Sequence, residues 1–278
     1  MDRRLRPHHP TRLLQGHRPS RILFSRGGGA SNRIATLRDW TVQLSGGVEY
    51  HYSSSVMIRD FNSGKTALEL KEAQGYPVIW SRDGRAIAAS EGRGRDRMGI
   101  WDARTGARLG RVISHIDTIT HAAFTPEGNI VTLSRDGTVR LTDPLTSRTI
   151  SRLEVENSTN PRALSVSPDG RTVTSIWGTI MHIWRPHESC LTSHNLNSVR
   201  RTEGWPLCIS PDGRYLACRT EDGFDITEVI SGALLYEQQI GGGGHIVTAA
   251  DFSSDGKVLL LGRMNGDVQV WDIQERKV

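Results

Sequence analysis

The amino-acid sequence predicts an all-β chain made of about six small antiparallel sheets, each with four short strands. A turn motif recurs about every 43 residues, and the end of a later strand recurs on the same period. The segments between these markers are short β-prone runs, not long segments of helical periodicity. The chain has 278 residues, of which 36% are hydrophobic and 29 are glycine, a composition suited to many short strands and tight turns.

The first repeated feature is a hairpin turn. "SPDG" occurs at 167–170 and 210–213, with the variants "SRDG" at 81–84, "TPEG" at 125–128 and "SSDG" at 253–256. The glycines of successive motifs are 44, 42, 43 and 43 residues apart. Proline presets φ for a turn, and glycine adopts positive φ without steric cost. Each motif therefore predicts a tight connection between two strands.

The second repeated feature is the end of a later strand in each unit. Successive ends are 42, 41, 42, 43 and 44 residues apart. A further turn and one more apolar strand follow most of them, so each unit is predicted to contain four strands. The strand ends are Asp60, Asp102, Asp143, Arg185, Glu228 and Asp272.

The period and the strand count resemble the WD40 repeat, which forms one four-stranded blade of a β-propeller. Trp-Asp, which ends the third strand of a WD40 repeat, occurs twice, and Gly-His, which opens a repeat, also occurs twice. A Ser-His pair at 114–115 is a variant of the opening motif. The resemblance assigns a structural role to His17, Trp101, Asp102, His115, Asp136, His245, Trp271 and Asp272.

In the WD40 family, His, Ser or Thr, Asp and Trp can form a hydrogen-bonded tetrad within a blade. The third unit has His115, Ser134 and Asp136, but Thr142 stands where the family has Trp. The last unit has Asn265 where the family has Asp. No unit therefore carries the complete tetrad.

The last unit ends after three predicted strands, which would leave an unpaired sheet edge. "TRLLQGH" at 11–17 reads as a fourth strand running into Gly-His, although no unit precedes it. We therefore expect residues 10–17 to pair into the last blade and close a six-bladed ring. A degenerate blade hidden in the first unit, or a longer repeat array, is the alternative. The expected domains are a basic flexible tail at 1–9 and a propeller at 10–278, with blades at about 19–72, 73–113, 114–155, 156–198, 199–240 and 241–278 plus 10–17.

Positive charge is concentrated at the N-terminus. Residues 1–26 contain seven arginines and one aspartate, a balance of +6, whereas the whole chain carries +5, so the remaining 252 residues carry −1. Such an arm could contact RNA phosphates or an anionic membrane surface, or act as a mitochondrial presequence. Because Pro7, Pro10 and Pro19 interrupt the amphipathic helix of a presequence, we favour a flexible basic tail. We do not expect nucleic-acid binding.

Three cysteines, Cys190, Cys208 and Cys218, are an odd number without metal-ligand spacing. This pattern predicts reduced thiols and a cytoplasmic or nuclear location. The longest aliphatic stretch, "VLLLG" near residue 260, is far shorter than the roughly 20 residues that span a membrane.

The first unit is extended between its second and third strands. From turn glycine to strand end it takes 32 residues, from Gly28 to Asp60, against 15 in the third, fourth and fifth units. The second unit has a smaller excess, "GRGRDR", at the same connection. By the geometry of WD40 propellers both lie on the top face, where aromatic and arginine side chains would bind an acidic or phosphorylated peptide. Self-packed hairpin extensions or solvated tips are the alternatives. The candidate partner-binding residues are Trp40, Tyr50, His51, Tyr52, Arg93, Arg95 and Arg97.

The sequence contains no recognisable catalytic motif, such as Gly-x-Ser-x-Gly, His-Glu-x-x-His or a phosphate-binding loop before a helix. We expect no catalytic residue, no cofactor and no metal, and we expect a monomer that joins protein partners in a larger complex. The predicted function is a non-catalytic protein-interaction scaffold, which depends on fold-level analogy. The alternatives are a lactonase-like hydrolase with a metal in the central channel, or an RNA or anionic-surface binder acting through the N-terminal arm.

Overall fold

All regular structure in the described part of the chain is β-strand, in agreement with the predicted fold class. The predicted tail and the predicted closing strand at 10–17 lie outside the described residues. The computed structural model describes residues 22–24, 33–43, 49–60, 63, 65–92, 94–110, 113–155, 161–188, 190–195, 205–220, 223–229, 231, 233–239, 247–253, 255–263, 268–273 and 275.

The strands form antiparallel sheets in which neighbours in the sheet are also neighbours in the chain. The first three sheets each contain four strands. Sheet 1 contains β1 (Ile22–Phe24), β2 (Arg33–Gln43), β3 (Glu49–Asp60) and β4 (Thr66–Leu70). Sheet 2 contains β5 (Ala73–Trp80), β6 (Ala86–Glu91), β7 (Arg97–Asp102) and β8 (Ile113–Ser114). Sheet 3 contains β9 (Ile119–Phe124), β10 (Ile130–Ser134), β11 (Thr138–Thr142) and β12 (Thr149–Glu154).

The next two sheets again have four strands, and the last has three within the described residues. Sheet 4 contains β13 (Pro161–Val166), β14 (Val173–Trp177), β15 (Ile180–Arg185) and β16 (Cys190–Asn195). Sheet 5 contains β17 (Trp205–Ile209), β18 (Tyr215–Arg219), β19 (Gly223–Glu228) and β20 (Leu234–Gln239). Sheet 6 contains β21 (Val247–Phe252), β22 (Val258–Arg263) and β23 (Val268–Asp272).

The sheets follow one another as blades of a β-propeller. The first strands of sheets 2 to 6 lie side by side, so that β9 contacts both β5 and β13, and β17 contacts both β13 and β21. Sheet 1 contacts β5 through β1 and β3. The predicted all-β propeller is therefore confirmed, with five four-stranded blades and the three strands of sheet 6.

The apolar core lies between consecutive sheets. Five clusters of buried side chains each join one sheet to the next along the chain. Because a blade inside the series is covered on both faces, its middle strands do not alternate apolar and polar residues. All five residues of β10, "IVTLS", are buried, as are all five of β14, "VTSIW". Burial of both faces stabilises the blades far more than the short strands could alone.

The recurring turn motif forms the same hydrogen-bond network in four sheets. In sheet 2 the Ser81 hydroxyl donates to Asp83 at 2.6 Å and accepts from the Ala86 amide at 2.8 Å. Asp83 also accepts from the Arg85 amide at 3.0 Å, and Gly84 has a φ of 68°. The serine and aspartate therefore satisfy the backbone groups that the turn leaves unpaired. The same hydroxyl–carboxylate bond, at 2.6 Å in each case, joins Ser167 to Asp169, Ser210 to Asp212 and Ser253 to Asp255.

The third sheet departs from this pattern because its motif contains Thr125 and Glu127. Phe124 pairs with Ile130 across the turn, one residue fewer than in sheet 2, where Trp80 pairs with Ile87. The longer glutamate side chain does not replace aspartate in the network, and the buried Thr125 hydroxyl has no hydrogen-bond partner among the residues that the structure describes.

A second type of turn follows the third strand of a sheet. Asp102 accepts hydrogen bonds from the Thr105 amide at 2.7 Å and from its hydroxyl at 2.8 Å. Asp60 binds Ser63 in the same way, at 2.7 and 2.8 Å. The strand-end acids therefore stabilise turns, which accounts for their periodic recurrence without a catalytic role.

Gly106 in this turn is a position where substitution should be costly. Its φ is 75°, and an added Cβ would lie 3.1 Å from Leu68 Cδ1. We expect Gly106→Ala to lower the free energy of unfolding by about 2 kcal/mol, through left-handed backbone strain and crowding. Gly178→Ala is the control, since its φ is 55° but no atom lies within 4 Å of the added Cβ. It should cost about 1 kcal/mol. Urea unfolding measures both, and equal losses would contradict the role of Leu68.

Candidate functional site

Three loops from sheets 2 and 3 are hydrogen-bonded to one another at one end of the sheets. The Ile119 amide donates to the Arg95 carbonyl at 2.8 Å, and the His115 amide donates to the Asp96 carbonyl, also at 2.8 Å. The amide that begins the third loop donates to the second loop at 2.9 Å. The loops therefore form one continuous surface. We call the surface formed by residues 94–97, 115–118 and 135–137 the platform.

A buried polar cluster holds the platform from below. The side chains of His115 and Asp136 are 0% and 4% exposed, and His115 Nδ1 lies 3.0 Å from Asp136 Oδ2. His115 Nε2 lies 2.7 Å from the hydroxyl of Thr132 on β10. Thr138 Oγ1 donates to Asp136 Oδ1 at 2.6 Å, and Arg140 pairs with Asp136 Oδ2 at 3.2 Å. One carboxylate therefore receives hydrogen bonds from several donors that would otherwise be buried without an acceptor.

The same cluster fixes the backbone of the second platform loop. The Ile116 amide donates to Asp136 Oδ2 at 3.2 Å, and Arg140 donates to the Ser114 carbonyl at 3.2 Å. Ser134, which the sequence placed in the tetrad, instead donates to the Asp117 carbonyl at 2.9 Å. The hydroxyl that binds His115 belongs to Thr132, which lies two residues before Ser134 on β10 and faces the imidazole.

Burial and hydrogen bonding set the charge of this cluster. Burial lowers the pKa of His115, and the nearby Asp136 carboxylate offsets only part of that effect. Burial would raise the pKa of Asp136, but hydrogen bonds from Thr138, His115 and the Ile116 amide outweigh it and lower this pKa to about 2. At neutral pH the imidazole is therefore neutral, donates from Nδ1 to the ionised Asp136, and accepts from Thr132 at Nε2.

Arg95 is the most unusual residue of the first platform loop. Its φ is 54°, in the left-handed region that residues other than glycine rarely adopt. The loop amides and carbonyls described above hold it there. The exposed side chain of Arg95 extends over Gly75 on β5, whose added Cβ would lie 3.3 Å from Arg95 Nε. Among the described residues, no carboxylate forms an ion pair with Arg95. Strained residues of this kind are concentrated at binding sites.

The platform also displays two residues that the sequence analysis missed. Ile116 is 88% exposed, the highest exposure among the large hydrophobic side chains described. Arg135 is exposed and, within the described part of the chain, has no acidic partner. Sequence signals for them are weak, because both flank turn residues of ordinary composition. Backbone hydrogen bonds join the loop of Ile116 to the loop that carries Arg95, and join the loop of Arg135 to that of Ile116.

The remaining predicted arginines have different placements. Arg97 begins β7 with its side chain 64% exposed, and its Nε lies 3.9 Å from Asp96 Oδ2. Arg93 lies outside the described residues. Arg95 and Arg97 are therefore the two predicted arginines that belong to the platform.

The predicted aromatic residues lie on the long hairpin formed by β2 and β3. Trp40 pairs with Tyr52, Thr41 with His51, and Val42 with Tyr50 in its backbone register. The inserted residues that are described therefore belong to the backbone ladder of this hairpin. The relation of these aromatics to the platform stays a prediction.

The repeat-motif residues that are described occupy the strand ends and the core. Trp101 is 3% exposed and Trp271 is 1% exposed. Asp102 binds the turn that follows it, and Asp272 accepts from the Glu275 amide at 2.9 Å. These four residues have structural contacts. His17 and His245 lie outside the described residues.

The described residues contain no group of three or more His, Cys, Asp or Glu side chains placed to hold a metal ion. They also contain no helix with the length and hydropathy needed to cross a membrane. None of the three cysteines forms a disulfide. Cys208 pairs with Ala217 and Cys218 with Pro206, so the two thiols on adjacent strands belong to different register positions.

A second buried histidine makes stability depend on pH. His182 is 8% exposed, its Nδ1 lies 2.9 Å from Ser193 Oγ, and burial lowers its pKa below the ordinary 6.5. Below about pH 6.5 the unfolded chain binds a proton that the folded chain resists, so stability falls as the pH falls. We expect His182→Gln to reduce this dependence between pH 7 and 5, as measured by urea unfolding. His187→Gln, at an exposed position, is the control for the loss of one histidine. Equal slopes for the wild type and His182→Gln would refute the assignment.

Comparison with protein families gives two matches to the model described as "WD domain, G-beta repeat". The matches cover residues 106–143 and 237–272. The first includes two of the three platform loops, and the second includes the three described strands of sheet 6. With the propeller arrangement of the sheets, these matches confirm the resemblance to WD40-repeat propellers. A search of curated proteins found no similar sequence.

Proposed function

Because WD40 repeats are matched within a β-propeller arrangement of sheets, we propose that this chain is a non-catalytic scaffold that binds a protein partner on its top face. WD40 propellers generally serve as protein-interaction scaffolds and are typically non-catalytic. The top face is the end that carries the platform. Rigid sheets hold such loops in fixed positions, which suits them to recognition.

The observation that carries this proposal is the platform itself. Its loops are joined by backbone hydrogen bonds and anchored on the Asp136 carboxylate. They display the exposed Ile116, together with Arg95, which forms no ion pair within the described part of the chain. Arginine is enriched among the residues that dominate binding energy at interfaces, so exposed arginines on a fixed loop favour an interaction surface over a plain solvated turn. The predicted aromatics of the β2–β3 hairpin would extend this surface.

Affinity purification of the tagged chain with mass spectrometry tests the scaffold function. We expect the wild type to retain one or more protein partners, and Arg93→Ala/Arg95→Ala/Arg97→Ala to lose them. If the variant retains the partners, the binding surface does not depend on these arginines. No partner above background would contradict the scaffold function. A parallel screen for divalent-metal thermal stabilisation and ester or lactone hydrolysis should be blank.

We further propose that the blades form a closed ring of six. Sheet 6 contains three strands among the described residues, and the sequence 10–17 has the pattern of a fourth strand. Its pairing with sheet 6 would cover the edge of β23 and tie the two ends of the propeller together. On the basis of its cysteine content we place the protein in the cytoplasm or nucleus. We also propose that it acts as a monomer within a larger complex.

A further inference from the structure

We propose that the platform binds a linear peptide segment in which acidic residues flank a large apolar side chain. This inference rests on the proposed scaffold function and names the class of partner. The apolar side chain would pack on Ile116, and the acidic residues would pair with Arg95 and Arg135. The partner segment would therefore cross from the first loop of the platform to the third.

Ile116 offers an exposed apolar side chain on a loop whose backbone is held in place. Ile116 is 88% exposed, and its amide is held by the buried Asp136 at 3.2 Å. An isoleucine on a fixed loop loses little backbone entropy when a partner covers it. It therefore offers a preformed contact for an aliphatic or aromatic side chain.

The charged side chains near Ile116 determine which charge a partner should carry. Arg95 and Arg135 are exposed and form no ion pair among the described residues. Of the neighbouring acids, Asp96 lies 3.9 Å from Arg97, and Asp117 accepts a hydrogen bond from the Thr118 amide of its own loop. The three exposed arginines of the platform, Arg95, Arg97 and Arg135, outnumber the acids Asp96 and Asp117, so the surface around Ile116 carries a net positive charge. Carboxylates are their complementary partners.

The buried charged groups do not change the net charge that the platform presents to a partner. Asp136 and Arg140 pair with each other at 3.2 Å, and the buried His115 is neutral at neutral pH. A nucleic acid would satisfy the arginines but would leave Ile116 without an apolar partner, and the platform contains no aromatic side chain for bases to stack on. The combination of groups therefore favours a peptide.

Selection of a random linear-peptide phage library on the full chain tests this inference. We expect selected peptides to be enriched in Asp or Glu next to Leu, Ile, Val or Phe. Synthetic copies should bind the wild type in fluorescence anisotropy and bind Arg95→Ala/Ile116→Ser/Arg135→Ala at least about tenfold more weakly. Their affinity should also fall as salt rises.

A matched variant, Arg85→Ala/Leu145→Ser/Arg171→Ala, controls for lost charge and lost apolar exposure. Its residues are exposed, with Leu145 at 68%, and lie in turns outside the platform. Both variants should unfold at the wild-type temperature, and the control should bind peptide as the wild type does.

Three results would overturn the partner class. Selected peptides could lack acidic enrichment, could bind the platform variant as tightly as the wild type, or could require a phosphoryl group before they bind. In each of these cases the scaffold function survives, because a peptide still binds. If no peptide binds and purification yields no partner, both proposals fail together.

Discussion

Replacement of Asp136 by alanine is expected to lower the free energy of unfolding by about 3–5 kcal/mol, because it leaves buried charged and polar groups without their acceptor. The Asp136 side chain is 4% exposed and receives bonds from His115 at 3.0 Å and Arg140 at 3.2 Å. The Ile116 amide also loses its acceptor. Urea unfolding at neutral pH, followed by circular dichroism, measures the loss.

Asp169→Ala is the matched control for this experiment. Asp169 also accepts bonds from a hydroxyl, that of Ser167 at 2.6 Å, and from the Arg171 amide at 3.0 Å, but it lies on an exposed turn. Its loss should cost about 1 kcal/mol, since water replaces the missing acceptor. If Asp136→Ala costs no more than Asp169→Ala, the cluster does not anchor the platform.

Replacement of Trp271 by alanine is expected to cost about 3–5 kcal/mol, because it removes a fully buried ring between sheets 5 and 6. Trp271 is 1% exposed, with its ring centroid 3.9 Å from that of Tyr236 and 6.3 Å from that of Phe224. It belongs to β23, whereas both neighbours belong to sheet 5. The substitution therefore weakens the contact between the last two blades.

Val270→Ala tests whether burial causes this loss. Val270 precedes Trp271 on β23 and is 53% exposed. Its truncation should change stability by less than about 0.5 kcal/mol. A small effect of Trp271→Ala in the same urea titration would show that sheet 6 does not depend on this packing.

The repeated features were predictable because their chemistry is local. The Ser81–Asp83 hydrogen bond joins residues two positions apart, and the positive φ belongs to Gly84 alone. One short motif therefore specifies one turn. The same holds for Asp102 and Thr105. A constant spacing of such turns then predicts a series of similar sheets, and buried tryptophans at the strand ends follow from the same register.

The platform could not be predicted in the same way, because its contacts join residues distant in sequence. His115 binds Thr132, 17 residues away, and not the expected Ser134, since the pairing of β9 with β10 decides which hydroxyl faces the ring. The exposure of Ile116 depends on what neighbouring loops leave uncovered. The extra residues in the connection between β6 and β7 did indicate an exposed Arg95, because they have to extend beyond the sheet. Its role in recognition stays a prediction.

The proposed architecture depends on closure of the blades into a ring through residues 10–17. Hydrogen–deuterium exchange, measured by mass spectrometry on the intact chain, can detect this closure. If the ring closes, amides in 10–17 exchange as slowly as those of β23, whereas amides in 1–9 exchange at once, because strand pairing protects backbone hydrogen bonds. Exchange in 10–17 as fast as in 1–9 would contradict closure and leave the last blade without its predicted fourth strand.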